Sequence, residues 1–134
     1  MTVQKAIDQF DRLYKNQLDT EIKIDWLKQL EMQITEETVE QHELPEGYET
    51  PDWDAFDLSS ELIVPEQYVA LYIAYLRRMY CFAQAETKGY NMATTEFNNA
   101  YITYQQYYNR HYKPKRTVVD YTCGGSYTYD PLNR

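Results

Sequence analysis

PEQYVALYIAYLRRMYCFA, residues 65–83, carries apolar side chains at Tyr68, Leu71, Tyr72, Tyr75, Leu76, Met79, Phe82 and Ala83. Their spacing is helical and covers more than one stripe of the cylinder, so this helix is expected to be surrounded by protein on most sides. Pro65 suits the first helical position, where its missing N–H would have had no partner in any case. Gly89 is the expected C-cap, and Asn91 or the nearby threonines are expected to open the next helix. There Phe97, Ala100, Tyr101, Tyr104, Tyr108 and His111 align on one broad stripe, and Pro114 stops the helix.

Toward the N-terminus the same period recurs twice. Thr2 is a plausible N-cap for a helix with Val3, Ala6, Ile7, Phe10, Leu13 and Tyr14 on its apolar face, ending near Lys15 and Asn16. Asp19 or Thr20 caps a second, which places Ile24, Leu27, Leu30 and Ile34 on a stripe flanked by Trp26 and runs to about Gln41. Between residues 43 and 60 the periodicity gives way to Pro45, Gly47, Pro51 and many carboxylates, which predicts a long surface loop. Loops of that length inside compact domains usually carry function or lack order. The expected fold is therefore an all-α bundle of about four helices over residues 1–114, with an acidic loop at 43–60 and an extended C-terminal arm at 115–134.

A chain of 134 residues has room for one domain with a real core. Its net charge of -8 opposes wrapping of nucleic acid, and no run approaches the roughly 18 apolar residues of a spanning helix, so no membrane partner is expected. Residues 1–10 lack the apolar core of a signal peptide, which favours synthesis in the cytoplasm. The average charge hides a division: residues 1–64 carry net -11, and residues 65–134 carry net +3 together with thirteen of the fifteen tyrosines.

Catalytic candidates are sparse. His111 lies on an apolar stripe, where a hydrogen-bonded structural role is favoured, and His42 lies among glutamates, where a solvated role is favoured. Cys81 occupies an apolar helix and is expected to be an inert packed thiol, while Cys123 has no neighbouring group to activate it. Asp52, Asp54 and Asp57 invite comparison with a helix-loop-helix calcium site. Counting from Asp52, however, puts Phe56 at position 5, Asp57 at 6 and Ile63 at 12, and the match fails. The four glycines spell no phosphate cradle. No nucleophile, metal or cofactor is expected, and the chain is read as no enzyme.

Interaction features are stronger. From Glu31 to Glu61 there are eleven acidic residues and no lysine or arginine. Such a run is either a solvated face or a field with a use, and one use is a surface that repels DNA; Glu43, Glu46, Glu49, Asp52, Asp54 and Asp57 are its candidates. At the other end Arg110, Lys113, Lys115 and Arg116 either complement the dipole of the last helix or begin a docking arm with Tyr121, Tyr127 and Tyr129. Tyrosines 101, 104, 107, 108 and 112 exceed what one core stripe holds, which admits a tyrosine-lined core, a helix between its own bundle and a neighbour, or both.

The order of segments resembles the head-tail connector (adaptor) proteins of tailed bacteriophages. The resemblance is carried by TVQKAID at residues 2–8, KIDWL at 23–27 before the acidic loop, and ELIVPEQYVALY at 61–72. It continues in YNMATTEFNNAY at 90–101 and YYNRHYKP at 107–114. It covers residues 1–114 and leaves the arm 115–134 without a counterpart. The resemblance implies a small helical bundle that forms a homo-oligomeric ring, usually dodecameric, under the portal protein. Such a ring sits in the virion at the head-tail interface, assembled in the host cytoplasm. It extends the channel through which DNA passes without specific binding, and meets stopper or tail-completion proteins. An acidic regulatory or DNA-mimic protein that binds a basic partner is the alternative from a different class, and a small metal-independent hydrolase a distant third.

Overall fold

The computed structural model describes residues 1–44 and 46–113. Helix α1 is Val3–Leu13, α2 is Thr20–Glu37, α3 is Ala70–Ala83 and α4 is Thr87–His111. Short 3-10 turns lie at Val39–Gln41, Trp53–Ala55 and Glu66–Tyr68. The described residues thus form the expected small all-α bundle, and the arm 115–134 lies outside them.

α3 is the hub. It packs along the length of α4 and also meets α1 and α2. Leu71, Tyr72, Ala74, Tyr75, Leu76 and Cys81 are buried on it, which follows from an apolar surface wider than one stripe. From α1 come Val3, Ala6, Ile7 and Phe10; from α2, Leu27, Leu30 and Ile34; from α4, Phe97, Tyr101, Tyr104 and Tyr108. Thr2 caps α1 as expected, its hydroxyl accepting from the Lys5 N–H at 3.3 Å. Asp19 occupies the N-cap of α2 without a side-chain hydrogen bond. The corner between these helices is closed by Lys23, whose buried ammonium donates to Asp11 at 2.7 Å, while Asn16 donates to the same carboxylate at 3.0 Å.

The α3–α4 corner differs from the expectation. α3 ends at Ala83, the left-handed backbone falls on Ala85 (φ 57°), and α4 has already begun at Thr87. Gly89 is therefore no C-cap. It is a buried residue of the first turn of α4, where an added Cβ would stand 2.8 Å from Cys81 Sγ and against the Glu86 carboxylate. A left-handed cap favours a residue without Cβ, although Ala85 takes that position here, whereas the close approach at Gly89 leaves a Cβ no room. Phe82 and Ala83, expected on the packed surface, are exposed because the helix has by then passed the end of the bundle. Pro65 likewise caps the 3-10 turn Glu66–Tyr68 instead of opening α3. Gly89→Ala is expected to lose about 1 kcal/mol in urea denaturation, overpacking against Cys81 outweighing the better helix propensity. In a Cys81→Ala background the loss should shrink, since the obstructing sulfur is gone.

Candidate functional site

The acidic segment is a loop held against the bundle, not one free of it. The Val3 N–H donates to the Ser60 carbonyl and the Gln4 N–H to that of Leu58, both at 3.0 Å, and the Leu62 N–H donates to the Met1 carbonyl at 2.9 Å. Thr2 and Glu61 form an isolated antiparallel bridge. Tyr48, Phe56 and Leu58 also pack against the core. The periodicity stops here because only every few residues is an anchor, while the residues between them face water.

Those outward residues are the predicted ones. Glu43, Glu46, Glu49, Asp52, Asp54 and Asp57 are all exposed. Two are fixed by local hydrogen bonds: Asp52 accepts from the Asp54 N–H at 3.1 Å, and Asp57 accepts from the Ser59 N–H at 2.9 Å and the Ser59 hydroxyl at 2.7 Å. These bonds, led by the Ser59 hydroxyl, hold the Asp57 carboxyl below the usual range. Among the described residues no group of carboxylates, histidines and cysteines is arranged to hold a metal ion.

Beneath the loop one member of the acidic run is not solvated. Glu31 is 1% exposed. Its Oε1 accepts from the Ile63 N–H at 2.8 Å and its Oε2 from the Tyr72 hydroxyl at 3.0 Å, while that hydroxyl accepts from the Val64 N–H at 2.9 Å. One carboxyl and one phenol thus satisfy the backbone of the strap 62–64, which carries the loop back to α3. Burial pushes the Glu31 carboxyl up to about 7 against the opposing pull of the Ile63 and Tyr72 donors, and the Tyr72 hydroxyl well above its ordinary value. A cavity of about 210 Å³ opens beside this carboxyl between Trp53, Phe56, Asp52 and Glu61.

The histidines differ from expectation in burial: His42 is the buried one, while His111 keeps a hydrogen-bonded role, its Nδ1 2.9 Å from the Tyr107 carbonyl oxygen, at the surface. His42 is buried: the turn Val39–Gln41 folds it onto the end of α4, where Nδ1 lies 2.7 Å from the Thr38 carbonyl oxygen and Nε2 lies 2.6 Å from Asn109 Oδ1. The Tyr108 ring meets it edge-on at 4.6 Å. His111, one turn past the buried stripe, is exposed and stacks only on Tyr107, at 4.2 Å between centroids. His42→Ala is accordingly expected to cost about 2 kcal/mol in urea denaturation, and His111→Ala to stay within about 0.5 kcal/mol. Cys81 is buried as expected, and desolvation pushes its thiol up, away from the reactive thiolate.

The tyrosines of α4 divide between core and surface. Tyr101, Tyr104 and Tyr108 are buried, while Tyr107 and Tyr112 are half-buried and reach the rim. Tyr101 donates to Glu37 at 3.0 Å, and burial pushes its hydroxyl and that of Tyr108 up to about 12. Beyond them Arg110 and Lys113 are exposed, and the Lys113 carbonyl accepts from the Glu43 N–H at 2.8 Å, so the basic end of α4 sits beside the start of the acidic loop. Lys115, Arg116, Tyr121, Tyr127 and Tyr129 lie outside the described residues. No protein-family model, curated protein or solved structure matches this chain.

Proposed function

We propose that this chain is a structural subunit of a head-tail connector ring in a tailed bacteriophage, docking under the portal, extending the DNA channel and joining the capsid to stopper or tail proteins. The observation that carries the reading is the loop at 43–60. Its carboxylates are exposed, free of lysine or arginine neighbours in sequence, and carried on backbone tied to the bundle at both of its ends. A channel wall past which DNA slides needs a fixed, like-charged surface, because a basic wall would hold phosphates by releasing their counterions. The sequence resemblance to the connector family supports the same assignment. In this reading the chain is virion-bound and non-catalytic, several copies close into a ring, and the basic end of α4 with the arm behind it grips the portal or a neighbouring subunit.

Deleting residues 117–134 tests the arm's part in this. Circular dichroism should retain the helical signal, and co-sedimentation with purified portal should be lost. A truncated chain that attaches as the full one does would remove the arm from the account.

One observation favours a second reading, an acidic protein that binds a basic partner. Asp52 and Asp57 are held by their own local hydrogen bonds, which gives their carboxylates the fixed spacing that mimicry of a phosphate backbone requires. Salt-sensitive binding of the isolated monomer to a basic partner, with no attachment to portals, would select it.

A further inference from the structure

The cavity beside Glu31 has the chemistry of a receptor for a cationic side chain. Trp53 and Phe56 form two of its walls, their ring centroids 6.2 Å apart and their planes inclined at 47°. Asp52 and Glu61 are its exposed carboxylates, Glu31 is buried at the wall, and among the described residues no lysine, arginine or histidine lines it. The Met1 ammonium reaches Glu61 Oε1 at 3.1 Å and so occupies part of the rim. Both Glu31 oxygens are engaged by the strap and by Tyr72, so the full charge at the cavity is that of the exposed Asp52 and Glu61. Aromatic faces beside carboxylates attract a guanidinium or ammonium by quadrupole and charge together, and the attraction grows as the group leaves water.

The chain also carries the complementary group. Arg110 and Lys113 are exposed and enter no ion pair among the described residues, and Lys115 and Arg116 follow them in sequence. No residue of 110–113 lines the cavity, whose walls come from α2 and the loop. The exposed Asp52 and Glu61 at the cavity and the exposed Arg110 and Lys113 at the end of α4 make two copies complementary when these surfaces meet. A contact of that kind joins two different surfaces, so it is heterologous and closes into a ring when the rotation permits.

We propose that the Trp53–Phe56 cavity of one subunit receives an arginine or lysine side chain from the basic segment 110–116 of the next copy, so that neighbours join head to tail. This rests on the ring reading and specifies its subunit contact; Asp52 then serves the contact, and the remaining carboxylates of the loop face the channel.

The test uses the full-length chain with Trp26→Phe, which leaves Trp53 as the only tryptophan, and a synthetic peptide of residues 108–118 as the probe. Trp53 emission should change saturably on titration. Asp52→Asn should weaken binding about tenfold, the scale of losing one partner of a partly desolvated charge contact. A peptide with glutamine at 110, 113, 115 and 116 should not bind. Equal binding of the glutamine peptide, or an Asp52→Asn protein that binds as well as its parent, would overturn the proposal. Equal binding of an unrelated peptide of the same charge would give the cavity to a different basic partner and overturn the second-copy assignment. Sedimentation velocity separates the two levels. Rings that persist in the Trp53→Ala, Asp52→Asn double variant overturn the cavity contact while the ring stands. A wild-type chain that forms no ring yet binds the peptide supports the contact and sinks the ring.

Discussion

Replacing Glu43, Glu46, Glu49 and Asp54 with lysine should convert a surface indifferent to DNA into one that binds it. All four side chains are exposed, and among the described residues none accepts a hydrogen bond, so the bundle should persist. Wild-type protein is expected to leave duplex DNA unretarded at low salt. Four new cations that each neutralise a phosphate should bring a log-log salt dependence of about -3 to -4, so that affinity falls by roughly two decades between 50 and 200 mM salt. Fluorescence anisotropy of a labelled duplex across that salt range measures both quantities. A variant that binds DNA no better than the wild type would mean that the carboxylates do not form one accessible face.

The second large effect concerns the strap beneath that loop. In the folded chain the Glu31 carboxyl keeps its proton up to about pH 7, whereas in the unfolded chain it releases it near 4.5. Between these values the folded state binds more protons than the unfolded one, so stability falls as pH rises. The contribution of the neutral carboxyl is complete below pH 4.5 and gone once pH has passed 7. At about 1.4 kcal/mol per unit, the shift amounts to about 3 kcal/mol. Glu31→Gln keeps an oxygen for the Ile63 N–H and cannot ionise. The unfolding free energy of the wild type relative to Glu31→Gln should therefore drop by about 3 kcal/mol between pH 4.5 and 8. A pH-independent difference would show that the carboxyl is ionised at little cost, by water that reaches it through the adjoining cavity. Tyr72→Phe bears on the same network, because it removes the acceptor of the Val64 N–H and a donor to Glu31 together. It should cost about 2 to 3 kcal/mol.

Local patterns made most of the bundle legible. The apolar periods of α1, α3 and α4 depend on neighbours within a turn, and Thr2 needs only the Lys5 N–H three residues on. What escaped depends on distant partners. Glu31 reads as one charge in an acidic run, although its place between Leu27 and Ile34 on the stripe of α2 is a signal that it points inward. Its reason for doing so, the backbone of residues 63 and 64, lies more than thirty positions away. His42 is buried by Asn109 and Tyr108, which no local pattern around residue 42 contains. His111 keeps the stripe's angle but lies beyond the bundle's end, and angle alone does not say where a bundle stops. Gly89 met the demand for a missing Cβ through close helix approach instead of through a left-handed backbone. Of the candidate site, the exposed carboxylates could be read from composition, because charge keeps such groups in water. The ties that hold them, and the aromatic cavity under them, required residues 1–4 and 53–63 to be brought together in space.

The most direct test of the connector assignment is cryo-electron microscopy of the full-length chain mixed with purified portal assemblies. The account predicts a closed ring seated coaxially on the portal, with residues 43–60 on the channel wall. Portals that remain bare, or a ring whose residues 43–60 point away from the channel, would contradict it.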